Sequence, residues 1–142
     1  MKLDPADPTI TALLTGPSAA TLTVYRGDGQ AVTSPVWPLF TGTALEIVVP
    51  VGDPKLRWLD ADPRCVVTVF ETVRPFRGFT LRSSVARVEP DADSALRRAV
   101  ATLYLGPDDG LAYADPGRRP PGLRLTIPLR DARAWTLSDL LP

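Results

Sequence analysis

Residues 52–70, GDPKLRWLDADPRCVVTVF, predict a turn, a short helix and a β-strand in direct succession. Asp53 is a suitable N-cap for a helix over residues 54–62, and Pro54 suits the first helical position because that position needs no N–H partner. An Asp-Pro pair ends this helix. Residues 64–71, which follow, are rich in β-branched side chains that favour a strand. The segment therefore predicts a short helix that leads directly into a strand of the main sheet.

Strands and tight turns account for most of the sequence on either side. The Asp28-Gly29 pair predicts a hairpin turn between strands over residues 20–25 and 31–40, because Asp-Gly favours the positive φ of such turns. Further strands are predicted over residues 45–51, 79–89, 123–129 and 134–137, helices over residues 5–15 and 91–105, and a loop over residues 107–122. Consecutive strands joined by short turns predict a mainly β fold, an antiparallel barrel of six to seven strands with two or three short helices. Residues 1–142 are expected to form one domain.

The composition excludes several classes of function. The chain contains no histidine, which rules out Ser-His-Asp and Cys-His catalysis and disfavours a zinc or iron site. The formal net charge is zero, whereas nucleic-acid-binding proteins carry a basic excess. No apolar run is long enough to cross a bilayer, and the first residues lack the apolar stretch of a signal peptide, so a cytoplasmic protein is expected.

The single cysteine, Cys65, lies in an apolar run and has no cysteine partner in the chain. A nucleophilic role would need a base such as histidine, which the chain lacks. Cys65 is therefore predicted to be a small buried core residue.

Five segments stand in an order that is typical of one superfamily. They are Asp28-Gly29, Ser34-Pro35-Val36-Trp37, Lys55-Leu56-Arg57-Trp58-Leu59, Asp62-Pro63-Arg64 and Val66-Val67-Thr68-Val69. In this order the chain resembles the pyridoxamine 5′-phosphate oxidase-like split-barrel superfamily, whose members bind FMN, coenzyme F420 or haem. The resemblance covers residues 20–89. It implies a split β-barrel that forms a homodimer, with the cofactor in a groove between the two subunits.

The resemblance also implies a set of cofactor-binding residues. The set consists of Thr33, Ser34, Pro35, Val36 and Trp37 on the second strand, Lys55 as a phosphate contact, Arg57 nearby, and Thr68 and Arg82. A phosphate at the start of the helix over residues 54–62 agrees with physical chemistry, because free N–H groups and the helix dipole attract anions there. Other interpretations stay open: Lys55, Arg57 and Arg82 can be solvated surface residues, Pro35 can mark a simple bulge, and Trp37 can be a core or interface anchor.

The expected function is that of an FMN-binding oxidoreductase acting on a small molecule, and no catalytic residue stands out. Coenzyme F420 is the alternative cofactor, placed second because Asp53 lowers the positive potential beside Lys55 for a polyanionic ligand. Flavin binding without turnover, or a dimer without a cofactor, are further alternatives. Vitamin B6 oxidation is not expected, because residues 134–142 lack the arginine and histidine that true pyridoxamine phosphate oxidases carry there.

Overall fold

Two antiparallel β-sheets and four α-helices make up residues 8–137, the part of the chain that the computed structural model describes. The strands are β1 (Ala19–Tyr25), β2 (Ala31–Pro35), β3 (Leu39–Phe40), β4 (Ala44–Val49), β5 (Arg64–Phe70), β6 (Arg77–Ser84), β7 (Arg87–Pro90), β8 (Leu123–Pro128) and β9 (Ala132–Thr136). The helices are α1 (Pro8–Thr15), α2 (Pro54–Ala61), α3 (Ala95–Leu105) and α4 (Pro107–Tyr113), and a 3-10 turn at Ala92–Ser94 precedes α3. Within this range no helix is long and apolar enough to cross a lipid bilayer. The architecture confirms the predicted mainly β, split-barrel-like fold.

The two sheets enclose one hydrophobic core. One sheet has the strand order β2-β1-β5-β6-β9, and the other has the order β3-β4-β8-β7. In β1 and β5 every second side chain is buried, as expected of strands with one face on a core. Fully buried side chains come from both sheets and include Leu22, Ile47, Phe79 and Leu125. Burial of this apolar surface is the main force that holds the sheets together.

The predicted hairpin between β1 and β2 is confirmed. Arg26 N donates to Gln30 O and Gly29 N donates to Arg26 O, each at 2.9 Å. Gly29 has a φ of +83°, a value that glycine adopts without steric cost. The turn fixes the register in which Thr23 pairs with Thr33.

Two strands predicted as continuous are each broken where the chain crosses between the sheets. The predicted strand over residues 31–40 forms β2 and β3, which belong to different sheets. Pro35 ends β2 and Pro38 precedes β3, and neither residue has an N–H with which to extend a ladder. Because β2 is an edge strand, Pro35 interrupts no central ladder.

The predicted strand over residues 79–89 likewise forms β6 and β7. Val85 N donates to Pro63 O beside β5, whereas the next amide, Ala86 N, donates to Thr126 O of β8. Neighbouring amides therefore bond to different sheets, and the chain turns between them. These two crossings explain why the described residues contain nine strands where six to seven were expected.

The loop predicted over residues 107–122 is wrong in its first half, which forms α4. Pro107 occupies the first turn and two aspartates follow it, an arrangement that favours a helix N-terminus. Gly110 lets α4 pack closely on α3, since an ideal Cβ at this position would lie 2.5 Å from Thr102 Cα. Glycine, which disfavours helices in general, is here required by the contact between two helices.

The predicted helix over residues 91–105 begins with the 3-10 turn, and α3 follows. The Asp91 carboxylate caps this end by accepting from Leu96 N at 2.9 Å and from Arg97 N at 3.1 Å. Asp91 is fully buried, and these bonds offset the cost of burying its carboxylate. The predicted helix over residues 5–15 is described from Pro8 onward, and its earlier residues lie outside the described part.

Cys65 is 2% exposed, which confirms the prediction of a core residue. Burial raises the pKa of its thiol from 9.0 to about 11, because the charged thiolate is disfavoured away from water. The thiol is therefore protonated at neutral pH and acts as a small apolar side chain.

Candidate functional site

A cavity of about 460 Å³ lies at the crossing between β2 and β3, against the start of α2 and beside α3 and α4. Its volume falls within the roughly 300–1,000 Å³ that is typical of small-molecule sites. The lining side chains come from both sheets and from the helices, and they are Pro35, Val36, Trp37, Val48, Val49, Pro50, Asp53, Lys55, Arg97, Val100, Tyr113 and Arg119. We call it the Lys55 cavity.

Cations outnumber anions in the lining of the Lys55 cavity. Lys55, Arg97 and Arg119 carry positive charge, and Asp53 is the one carboxylate among the lining residues. No group of three or more His, Cys, Asp or Glu side chains is placed to hold a metal ion anywhere in residues 8–137. A small molecule with an apolar body and a negatively charged group would match the valine, proline and cationic side chains of this lining.

Lys55 has an ion-pair partner within the chain. Its Nζ lies 3.2 Å from Asp53 Oδ2, and both side chains are 16% exposed. The same carboxylate caps α2, because Asp53 Oδ1 accepts from Lys55 N at 2.9 Å. Limited access to water strengthens the attraction between the two charges, so Asp53 offsets much of the ammonium charge that faces the cavity.

The start of α2 offers fewer amide donors than the sequence suggests. Pro54 has no N–H, and Lys55 N is bonded to the Asp53 carboxylate. Leu56 N is bonded to Asp53 O at 3.1 Å. An anion at this helix end would still meet the helix dipole and Lys55 Nζ, but these first-turn amides are already used. An anion site at this helix end would therefore consist mainly of side chains, and the prediction of free backbone N–H groups there is wrong for these first-turn amides.

Arg97 is buried, at 7% exposure, and lines the Lys55 cavity. Its Nη1 donates to Pro120 O at 2.7 Å, and its backbone N donates to the Asp91 carboxylate. Among residues 8–137, no carboxylate lies within ion-pairing distance of the Arg97 guanidinium. Such an arrangement is uncommon, because arginine is rarely buried without a charge partner.

Aromatic rings form one wall of the cavity. Trp37 stacks on Tyr104 with ring centroids 5.1 Å apart and an interplanar angle of 12°, and it lies 5.4 Å from the Tyr113 ring. The guanidinium carbon of Arg119 lies 4.1 Å from the Tyr113 ring centroid. Tyr104 Oη donates to Ser18 O at 2.7 Å, and burial raises the pKa of Tyr104 to about 12. Tyr104 is therefore protonated at neutral pH and anchors the wall through a hydrogen bond.

Four of the predicted cofactor-binding residues meet in the Lys55 cavity. They are Pro35, Val36, Trp37 and Lys55. The first three lie at the crossing between the sheets, and Lys55 reaches the same space from α2. The structure thus brings together two segments that the superfamily resemblance links to a cofactor.

Thr33 and Ser34 lie on β2 just before the cavity. Thr33 is exposed, and its Oγ1 lies 2.7 Å from Thr23 Oγ1. Ser34 Oγ is buried and has no hydrogen-bond partner among the residues that the structure describes. A buried hydroxyl without a partner is rare in proteins, and a ligand atom at this strand could satisfy it.

Arg57, Thr68 and Arg82 lie outside the Lys55 cavity. Arg57 lines a separate cavity of about 560 Å³ between α2 and β7. Arg82 lines another of about 430 Å³ with Arg64 and Arg130, which we call the Arg82 cavity. Thr68 is half-buried on the face of the five-stranded sheet that points away from the core. Within one subunit the structure does not bring these three residues to the Lys55 cavity.

Arg97, Tyr113 and Arg119 were not identified from the sequence as site residues. Tyr113 and Arg119 belong to the stretch that was predicted to be a loop. Arg97 did carry a signal, because it precedes Val100 and Ala101 by three and four positions and so lies on the apolar face of its helix. A charged residue on an apolar helix face is a position worth testing for a ligand.

The fold is shared with solved structures of low sequence identity. A protein named F420 reductase is similar with a TM-score of 0.71 at 22% identity, over 86% of this chain and 94% of that one. A conserved hypothetical protein from Mycobacterium tuberculosis has a TM-score of 0.78 at 20% identity, over 99% of this chain and 91% of that one. An FAD-binding protein from Mesorhizobium loti has a TM-score of 0.64 at 19% identity, over 94% and 93% of the two chains. No protein-family model and no curated protein matches the sequence.

These likenesses establish the fold class. The chain shares its split-β-barrel-like fold with these structures, and this is the fold that the resemblance noted in the sequence predicts. One fold can host several activities, so the function has to be argued from the residues of the Lys55 cavity.

Proposed function

We propose that the Lys55 cavity binds a phosphorylated flavin-type cofactor, with FMN as the first candidate, and that the protein is a flavin-dependent oxidoreductase. The observation that carries this proposal is an aromatic wall at Trp37 and Tyr113 in the same cavity as three cationic side chains. FMN combines a planar ring system with a phosphate, so its two parts match the two parts of the lining. The names of two structural relatives, F420 reductase and FAD-binding protein, add support at the level of the fold.

The residues of the cavity fit such a cofactor by their chemistry. Trp37 and Tyr113 offer aromatic and apolar contact to a ring system, and Lys55 and Arg97 offer positive charge to a phosphate. Val100 and its apolar neighbours would exclude water from the ring. A bound flavin would supply hydride and electron transfer, which the side chains of this chain cannot provide. The protein's part is to bind, orient and shield the cofactor.

Coenzyme F420 is a second candidate, and two arginines favour it. From the sequence, F420 ranked behind FMN because Asp53 offsets the charge of Lys55. Arg97 and Arg119 add two cations to the lining of the same cavity, which suits a cofactor with several negative charges. Parallel titrations with FMN and F420 decide between the two candidates.

The proposal includes a homodimer formed through the outer face of the five-stranded sheet. Half-buried threonines occupy the middle of this face: Thr21, Thr23, Thr68 and Thr80. The register pairs Thr21 with Thr68, and Thr68 with Thr80, so that three of them form a row across the strands. Small uncharged side chains permit close packing of a second sheet. Thr68, at the centre of this row, would then lie at the contact between the subunits.

A charge at the centre of this face should separate the subunits. Thr68→Arg is expected to convert a dimer into a monomer, because an arginine in the contact would be buried without a partner. Size-exclusion chromatography with light scattering measures the mass. Thr72→Arg, at an exposed position beyond β5, is the matched control and should leave the mass unchanged. A monomeric wild type, or a Thr68→Arg variant that remains dimeric, contradicts the proposed dimer.

Cofactor binding and turnover can be tested on the purified chain. Titration with FMN, followed by flavin fluorescence, is expected to show saturable binding with one FMN per chain. Reduction of the bound flavin by NAD(P)H and its reoxidation by an added acceptor distinguish an oxidoreductase from a flavin carrier. A chain that binds neither FMN nor F420 contradicts the proposed function.

Lys55 and Arg57 give a matched pair of variants because they lie two positions apart on α2 and line different cavities. Lys55→Ala is expected to weaken FMN binding by about 1–3 kcal/mol, the scale of a lost charge-assisted hydrogen bond. Arg57→Ala should leave the affinity unchanged. Fluorescence titration measures both variants, and an unchanged affinity in Lys55→Ala would remove Lys55 from the site.

A further inference from the structure

We propose that Arg97 is a phosphate-binding residue of the Lys55 cavity and that it lets the protein distinguish phosphorylated from unphosphorylated ligands. Assigning that phosphate to a flavin-type cofactor rests on the proposed function, whereas the anion site is argued from the surroundings of Arg97. None of the sequence segments that carry the superfamily resemblance includes this residue.

Arg97 is a buried cation that has no ion-pair partner among the described residues. A guanidinium has five N–H donors, and the structure shows one of them bonded, from Nη1 to Pro120 O at 2.7 Å. The residue is 7% exposed, and no carboxylate in residues 8–137 lies within ion-pairing distance. Since a desolvated charge is costly unless it is paired, a bound anion would stabilise this part of the protein.

The guanidinium is held in position before any ligand arrives. The Asp91 carboxylate fixes the backbone of Arg97, and Pro120 O fixes Nη1. Gly122 leaves room for Arg97 Nη2. An ideal Cβ at Gly122 would lie 2.9 Å from this nitrogen and 2.5 Å from Val49 O. A side chain fixed in this way loses little conformational entropy on binding, which favours affinity.

The other two cations of the cavity are already engaged. Lys55 Nζ faces Asp53 Oδ2 at 3.2 Å. Arg119 lies over the Tyr113 ring and donates from Nη1 to Tyr113 O at 2.8 Å. Arg119 is also exposed, so water and salt screen its charge. Arg97 therefore offers the strongest unshared positive charge to a ligand in this cavity.

A phosphate monoester is the class of anion that suits Arg97. The planar guanidinium can donate two parallel hydrogen bonds to two phosphate oxygens, which a point charge such as an ammonium cannot do. The aromatic wall in the same cavity suits a ring system attached to that phosphate. The ligand expected here is an aromatic compound with a terminal phosphate, as FMN is.

A comparison of FMN with riboflavin isolates the phosphate, because the two ligands share the ring system and the ribityl chain. The wild type is expected to bind FMN more tightly than riboflavin. In Arg97→Gln this preference should fall roughly 10- to 100-fold while the affinity for riboflavin stays unchanged. Arg98→Gln is the matched control, because Arg98 is the exposed neighbour on α3 and should keep the wild-type preference.

Arg97→Lys covers the case in which Arg97→Gln does not fold. Lysine keeps the positive charge but loses the planar fork, so the preference for FMN should fall by a smaller factor. Urea denaturation establishes that each variant is folded before titration. A preference for FMN that is unchanged in whichever variant folds overturns the proposal.

Inorganic pyrophosphate separates a failure of this inference from a failure of the proposed function. A wild type that binds neither FMN, riboflavin nor F420 overturns the flavin assignment. In that case the anion site still holds if pyrophosphate raises the Tm of the wild type and of Arg98→Gln but not that of Arg97→Gln. A pyrophosphate effect that is absent, or equal in all three proteins, overturns the anion site as well.

Discussion

Two cavities of similar size are lined by arginine side chains, and the arginines of the two cavities differ in their exposure to water. The Lys55 cavity measures about 460 Å³ and the Arg82 cavity about 430 Å³. All three arginines of the Arg82 cavity are exposed. One of them, Arg64, is bonded to Asp62 at 2.8 Å and lowers the pKa of that carboxyl through this hydrogen bond. Arg97 in the Lys55 cavity is buried, and no carboxylate within residues 8–137 is paired with it.

Cationic side chains alone therefore do not mark a binding site. An exposed guanidinium is already solvated and screened, so an arriving anion gains little from it. A buried guanidinium has lost most of its hydration, so an arriving anion restores a favourable interaction. Arg82 was a predicted cofactor-binding residue and Arg97 was not, but the structure exposes Arg82 and buries Arg97.

Of the variants that test the difference between the two cavities, one that fills the space beside Arg97 is expected to have the largest effect on stability and on FMN binding. Gly122→Ala would place a Cβ 2.5 Å from Val49 O, a backbone atom that cannot easily move. We expect the free energy of unfolding to fall by about 1–3 kcal/mol and FMN binding to weaken as Arg97 is displaced. Gly27→Ala, in the hairpin beyond β1, meets no atom within 4 Å and should change neither quantity. Urea denaturation and flavin titration measure the two effects, and a Gly122→Ala variant with wild-type values of both would show that Arg97 does not depend on this space.

A second effect concerns Cys65, which lines the Arg82 cavity. Burial raises the pKa of its thiol from 9.0 to about 11, so the unfolded chain loses the thiol proton at a lower pH than the folded protein does. The resulting stabilisation is complete below pH 9 and is lost as the pH rises from about 9 to about 11, by about 2–3 kcal/mol in total. Cys65→Ala should lack this loss. Urea denaturation across that range measures both proteins, and parallel pH curves would contradict the prediction.

The smallest change is expected in the FMN affinity when one exposed arginine from each cavity is replaced in turn. Arg119→Ala removes a cation that lies 4.1 Å from the Tyr113 ring centroid in the Lys55 cavity. We expect FMN binding to weaken by about 0.2–1 kcal/mol, the range of an ion pair at an exposed site, because Arg119 is exposed to solvent. Arg130→Ala, in the Arg82 cavity, should leave the FMN affinity unchanged. Equal losses of FMN affinity in the two variants would mean that both cavities contact the cofactor. The proposed difference between the two cavities would then not hold for their exposed arginines.

Local signals were sufficient for much of the fold. The cap at Asp53 with Pro54 and the turn at Asp28-Gly29 depend on residues a few positions apart, so the sequence displays them directly. The crossing after β6 depends on Val85 and Ala86, whose hydrogen-bond partners lie far away in the sequence. Partners of that kind leave no local pattern, and for this reason two broken strands were predicted as continuous.

The residues of the candidate site likewise fall into a group that the sequence indicates and a group that tertiary packing brings together. The superfamily resemblance points to Trp37 and Lys55, and both line the cavity. Arg97 and Tyr113 come from helices whose approach depends on Gly110, a residue that locally favours a turn. The sequence places Arg97 on the apolar face of its helix, but it does not show that tertiary packing brings this face to the same cavity as Lys55.

The close approach at Gly110 has a consequence for how this cavity could be altered. Because α3 and α4 pack backbone to backbone there, they behave as one hairpin that carries Arg97 and Tyr113. Lys55 lies on α2, which is not part of that hairpin. Exchanging the hairpin for another of the same length would change the ligand that the pocket accepts while leaving the β-scaffold intact, so the protein is suited to modular redesign.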